Sequence, residues 1–383
     1  MKNRAFVVAA LVVLALAVGA SPTAAQLGGI TGALKKAQTV KKIADLKVTE
    51  AEEQQIGQEV SNKVVETFGV YQDANVAKYV TLVGAVLAQS SPRPNLPWQF
   101  VVLDTEGVNA FAAPGGFVHI TKGLLGLMKN EAELAGVLAH EIIHVTEKHT
   151  VNAIQKGDTV KVASDEVGSS GGLTSGLVAK IAEKAYSDIL NNRFSRDDEG
   201  EADDKGVQLA NKVGYAPSGL SAALTKLSDR NKDSKEPNGL FATHPQLKDR
   251  IDKIGQAIKD KKLAATATVQ ARYAKEITFD AKPATAIATV AEGSRGLAGG
   301  GEKKPAEGEK AEAEKKEEPK KSGGMLSRLR PGGGKQAEQS QTVASAGARG
   351  VNPDRDAVGG PNKKRVPVTI GPNDIAEFRK GIA

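Results

Sequence analysis

Apolar residues in the first half of the chain recur at helical spacing, with clear starts and stops. Ile56, Val60, Val64 and Phe68 fall every fourth residue, which puts them on one face of a helix. Thr49 with Glu52 three positions later forms a capping box at its start, and Gly69 marks its end. Val76, Val80, Val83 and Leu87 predict a second helix that stops before "SSPRPNLP". "WQFVVLD" (98–104) has the aromatic and β-branched content of a strand, and "NAFAAPGGFVHITKG" (109–123) turns at Pro114-Gly115-Gly116 into another. Asn130, with Glu133 three positions on, caps a helix whose core face is Leu134, Leu138, Ile142 and Val145. Further helices are predicted over 177–191, 196–213, 217–228 and 245–262, and "ARYAKEITFDAKP" (271–283) reads as an added strand. The pattern is that of a helix-rich α+β domain.

Outside that domain the pattern lapses. Lys2 and Arg4 precede an unbroken apolar run from Ala5 to Val18, with small residues after it. The run is shorter than the roughly 20 residues of a membrane-spanning helix and has the layout of an export signal. It is read as residues 1–25, with cleavage after Ala25 or Ala20. A flexible leader over 26–48, the domain over 49–290 and a low-complexity linker over 291–365 follow. Residues 366–383 regain apolar positions and read as a short docking segment, on the domain or on an envelope partner. The Gly/Ser/Asp-rich stretch 157–175 reads as a mobile loop. "GEKKPAEGEKAEAEKKEEPKK" has too few apolar residues to build a core and is expected to be disordered.

Composition narrows the function. The 383 residues include no cysteine, which excludes disulfides, a lipid-modified cysteine and thiolate ligands, so any metal must be held by His, Asp or Glu. The net charge of +7 comes largely from the tail, and aromatic residues make up 4%. A nucleic-acid groove usually interleaves basic with stacking side chains, so nucleic acid is not an expected partner. Nothing after residue 26 is apolar enough to span a membrane. The expectation is a soluble, exported, periplasmic protein.

The chemistry is concentrated in "LAHEIIH" (138–144). Residues four apart stack on one helical face, so His140 and His144 present two imidazoles to one point. Glu141 is rotated about 100° from His140, too far to ligate beside the pair but placed to take a proton from an attacking water. This is a metal-site pattern, and zinc, one ion per chain, is the expected cofactor. A third ligand is sought in "FSRDDEGEADDKG" (194–206). Glu199, Asp203, Gly206, Val207 and Ala210 share one face, which continues as small or apolar and so points inward. Glu201, Lys205, Gln208 and Lys212 share the solvated face. A buried carboxylate needs a cation or donors, which selects Glu199 as ligand. Asp203, one turn on, is placed to accept from a ligand histidine and fix its tautomer. His244, before Pro245, is either a polar turn residue or a group at the metal, as extra ligand or oxyanion donor. His119 is read as an exposed strand residue and His149 as structural.

"HEIIH", "SRDDEGEAD" and "THP", with "NAFAAPGGFVHITKGLL" and "NEAELAGVLAHE" upstream, resemble the HtpX and CAAX-prenyl-endopeptidase group of zinc metallopeptidases. The likeness runs over about residues 49–255 and is to the soluble, exported BepA- and LoiP-like branch. It implies a zincin-like fold whose small sheet has an edge strand flanking the active-site helix. It also implies ligands His140, His144 and Glu199, a general base in Glu141, and a His244 that approaches and gates the zinc. It further implies that Gly115–Thr121 is an edge strand holding extended, unfolded or misfolded protein substrates, and it brings in Arg250 as a residue that orients part of the site. Gly200 interrupts the ligand helix, which would loosen the site, and the tetratricopeptide repeats of some relatives are absent. The competing expectation is a chaperone or assembly factor whose zinc site is latent, closed by His244, with the tail as the working part or a plain tether.

Overall fold

The computed structural model describes residues 48–156, 173–191, 194–231, 247–283 and 361–382. The expected export signal and leader, nearly all of the 157–175 stretch, His244 and almost all of the linker lie outside the described residues.

Helix α1 (Glu50–Phe68) starts at the Thr49–Glu52 capping box and ends at Gly69, whose φ of 75° suits glycine. Helix α2 (Ala74–Ser90) is capped by Asp73. Strands β1 (Gln99–Leu103), β2 (Ala110–Ala113) and β3 (Phe117–Thr121) form one sheet in the order β1-β3-β2, with β1 parallel and β2 antiparallel to β3. Helices α3 (Lys122–Leu127), α4 (Glu131–Thr146), α5 (His149–Lys156), α6 (Ser175–Asn191) and α7 (Arg196–Val213) follow. Then come α8 (Gly219–Asn231), α9 (Leu247–Asp260), α10 (Gln270–Glu276) and, near the C-terminus, α11 (Pro372–Lys380).

Alternate residues of the sheet enter two cores. Phe100, Val102, Val118 and Ile120 pack with α2, α4 and the helices beyond. Val101, Leu103, Phe111 and Phe117 pack with α1 and α6. The sheet therefore lies between two helical layers, and every residue of β2 and β3 is buried. Helix α1 meets the turn between β2 and β3 backbone to backbone. A Cβ on Gly57 would lie 1.8 Å from the Pro114 carbonyl oxygen.

Three expectations are corrected by this arrangement. The 109–123 segment supplies two strands rather than one, so β3 is the central strand and β2 the outer one flanking α4. His119 is not exposed, because α1 covers that face. Its ring is fully buried, 2.8 Å from Ser61 Oγ and stacked on Phe111. The stretch 271–283 contains α10 instead of a strand. Tyr273 and Ile277, four residues apart, both turn to the core, and the Tyr273 hydroxyl donates to the Leu125 carbonyl.

The first residue of α4, Glu131, is fully buried and accepts from Tyr79 Oη (2.8 Å), Tyr215 Oη (2.7 Å) and Arg272 Nε (2.7 Å). Arg272 also lies 3.9 Å from the centroid of the Phe378 ring, so this carboxylate ties α2, α10 and the C-terminal segment to α4. That segment is held elsewhere by Val70 N–H donating to the Asn362 carbonyl (2.7 Å), by Arg365 donating to Ser61 Oγ (2.8 Å), and by buried Ile382.

Removing Glu131 leaves a half-buried guanidinium and two buried hydroxyls without their acceptor. Glu131→Ala should lower unfolding free energy by about 3–5 kcal/mol, measured by urea titration at neutral pH; a loss below about 1 kcal/mol would contradict the anchor. His119 gives a pH test. Burial, helped by the Arg365 charge, pushes its imidazole down to about 3. The unfolded chain then binds a proton that the folded one refuses, so the stability present above pH 6.5 is lost as pH falls toward 3. By pH 5 the contribution is about 2 kcal/mol. His119→Leu should lose less stability than wild type between pH 7 and pH 5, and equal losses would contradict the assignment.

Candidate metal centre

Helix α4 brings His140, Glu141 and His144 into the interior, where each is at most 3% exposed. All sixteen of its residues are buried. Helix α7 crosses it closely: a Cβ on Gly206 would sit 3.1 Å from the His140 backbone nitrogen. A larger residue there would push α7 away, and with it Glu199 and Asp203.

The result is a convergence of donor atoms. His140 Nε2 and His144 Nε2 are 3.0 Å apart, and the Glu199 carboxylate lies 3.7 Å from the first and 3.5 Å from the second. Ligands arranged tetrahedrally around zinc, about 2.0–2.2 Å from it, lie about 3.3–3.5 Å from one another. Among the described residues, these three form the group of His, Asp and Glu side chains whose donor atoms all lie within 4.8 Å of one another. Spacing, burial and donor chemistry fit a divalent cation, to which the described residues would supply three ligands.

The outer contacts set the direction of the imidazoles. His140 Nδ1 is 3.1 Å from Asp203 Oδ1, an atom that can only accept, so the ring's Nε2 is left as a lone pair. Arg250, buried, donates to both Asp203 oxygens (2.8 and 2.6 Å) and lies 2.7 Å from Glu199 Oε2. Burial opposes ionisation of Asp203, but hydrogen bonds from His140 and Arg250 outweigh it and hold the carboxyl down at about 2. Among the described residues, Arg250 is the guanidinium that meets the Glu199 and Asp203 carboxylates, with Glu141 near enough to act on its charge. A divalent cation at the three-donor group would add positive charge beside these carboxyl groups.

Of the residues singled out in the sequence, the structure brings together His140, His144, Glu199, Asp203, Arg250 and, one helical step away, Glu141. His244 lies outside the described residues. Three contributors were not visible in the sequence. Phe194 stacks on His144, with ring centroids 4.2 Å apart. His149 Nδ1 is 2.8 Å from His144 Nδ1, and its Nε2 is 3.1 Å from Glu201 Oε2. In an unbroken helix His149, five residues past His144, would point off the ligand face. Instead α4 ends, and Lys148, in the left-handed region at φ 57°, turns the chain back.

Residues 74–258, a little under half of the chain, match the model of peptidase family M48. Among curated relatives, the β-barrel assembly-enhancing protease of Yersinia pestis is 28% identical over 212 residues, covering 52% of this chain and 42% of that one. Metalloprotease YcaL of Escherichia coli is 32% identical over 170 residues, covering 43% and 64%. Metalloprotease LoiP of the same organism is 27% identical over 162 residues, covering 41% and 62%. The chain thus spans less than half the length of the assembly-enhancing protease, and the likeness supports the BepA- and LoiP-like branch of the family. Among the described residues no helix is long and apolar enough to cross a membrane.

Arg250→Leu should destabilise the metal-free protein by about 3–5 kcal/mol, since it removes one partner of two buried ion pairs, those with Asp203 and Glu199. The loss should be smaller with saturating zinc, where the cation takes over part of the balance. Urea titrations with zinc and with a chelator test this; equal losses in both would contradict the charge argument.

Proposed function

We propose that the chain is a zinc-dependent metalloendopeptidase of the bacterial envelope, hydrolysing peptide bonds in unfolded or misassembled proteins. The observation that carries this reading is the convergence of His140 Nε2, His144 Nε2 and the Glu199 carboxylate beside Glu141, within a peptidase M48 domain. Zinc, when bound by His140, His144 and Glu199, supplies Lewis-acid polarisation of the scissile carbonyl and lowers the pKa of water.

The chain's own residues do the rest. Asp203 holds the Nδ1 proton of His140, which keeps that ring's Nε2 lone pair aimed at the cation site. Arg250 fixes the Asp203 and Glu199 carboxylates in place. Glu141, buried and one position past His140, takes the proton of the attacking water and passes it to the leaving amine. Backbone hydrogen bonds along a strand edge give affinity without a fixed side-chain sequence, a grip that suits unfolded chains. The outer strand β2 lies beside α4 but is buried along its length, so in this reading its edge is uncovered before a substrate pairs with it. The likeness to the β-barrel assembly-enhancing protease of Yersinia pestis supports an envelope substrate class, and the export-signal pattern at the N-terminus supports a periplasmic location.

The test is casein cleavage by the zinc-loaded full chain, with Glu141→Gln as the pair. The variant should retain zinc and lose about 10²–10⁴-fold in rate. Equal cleavage by the two would contradict the role of Glu141, and no cleavage by zinc-loaded wild type would contradict the activity.

A further inference from the structure

His149 lies outside the set that binds the cation, yet it is 3% exposed and contacts a ligand directly. Its surroundings fix its hydrogen-bond polarity. Glu201 Oε1 is paired with Lys205 at 2.7 Å, and the other oxygen is 3.1 Å from His149 Nε2. A carboxylate in that pairing only accepts, so His149 Nε2 donates. In a neutral imidazole the second nitrogen is then an acceptor. The atom it meets is His144 Nδ1, 2.8 Å away, which must donate. His144 Nε2 is thereby left as a lone pair, facing His140 Nε2 and Glu199.

The local backbone is shaped to make this contact. Lys148 occupies the left-handed region, uncommon for a residue other than glycine. Two bonds keep it there: its N–H donates to the Val145 carbonyl (3.1 Å) and its Nζ lies 2.9 Å from Glu53 Oε2. Glu53 is itself buried and holds Arg93 (2.8 Å) and the Gly115 N–H (3.1 Å). The turn that swings His149 onto His144 is thus pinned to α1 and to the turn before β3.

We infer that His149, oriented by Glu201, is a positioning residue that fixes the tautomer and ring angle of His144 for metal binding, as Asp203 does for His140. It touches neither metal nor substrate. The inference rests on the metal reading of the site. Each ligand imidazole then has its own acceptor, a carboxylate for His140 and a carboxylate-backed imidazole for His144.

Zinc affinity of the full chain, by competition with a chromophoric chelator, tests this without relying on activity. His149→Phe keeps an aromatic ring beside Phe194 but removes the acceptor, and should weaken zinc binding about 10–100-fold. His149→Asn places an amide oxygen near the former Nδ1 and should recover most of that loss. Glu201→Leu, on the solvated face, should weaken binding in the same direction, and it decides the matter if His149→Phe does not fold. Wild-type affinity in His149→Phe, or in Glu201→Leu if that is the variant that folds, would overturn the inference. So would an Asn variant as weak as the Phe one. If wild type itself binds no zinc, the metal reading fails instead.

Discussion

A helix buried on every face must satisfy each polar group it carries from elements packed around it, and α4 carries five ionisable side chains. Burying such groups unpaired costs several kcal/mol each, so the rest of the domain is arranged to supply partners. Glu131 takes two tyrosines and Arg272. The Glu133 carboxylate accepts from the cap residue Asn130 and pairs with Lys226. His140 takes Asp203 from α7, and His144 takes His149 from beyond the helix end. At the centre of these contacts, His140 Nε2, His144 Nε2 and the Glu199 carboxylate converge. Among the described residues, His140, His144 and Glu199 are the group there that could hold a cation.

The same constraint explains why distant segments belong to one domain. Helix α7 approaches to the distance Gly206 permits and delivers Glu199 and Asp203 together. Arg250, from α9, then bridges them. The C-terminal segment reaches α4 through Phe378, Arg272 and Glu131, so residues far along the chain support the start of the helix that bears the site. At the other end of α4, Glu53 joins α1 to Lys148 and to the turn that positions the outer strand. Burial opposes ionisation of Glu53, but Arg93 and Lys148 outweigh it and keep the carboxyl below its ordinary range. Site, strand and turn are held by one buried carboxylate.

Much of this was legible because it is local. Capping at Thr49 and Asn130, the four-residue spacing of His140 and His144, and the inward face of α7 are all properties of a single helix. Periodicity there selects Glu199, one of the three residues whose donor atoms converge. What escaped depends on neighbours the sequence does not place. The burial of His119 follows from a second helical layer over the sheet. The central position of β3 follows from Ala110–Ala113 folding back as a strand of its own. Likewise, the His149 contact depends on a lysine in a backbone region that nothing in "VTEKH" signals, because the partner that stabilises it, Glu53, is far away in the chain.

Zinc K-edge X-ray absorption on the full chain loaded with equimolar zinc tests the central claim most directly. The expected spectrum has a nitrogen/oxygen shell at about 2.0–2.1 Å that shows the outer scattering of two imidazoles and loses one of them in His144→Ala. A shell without imidazole scattering, or a chain that retains no zinc, would contradict it.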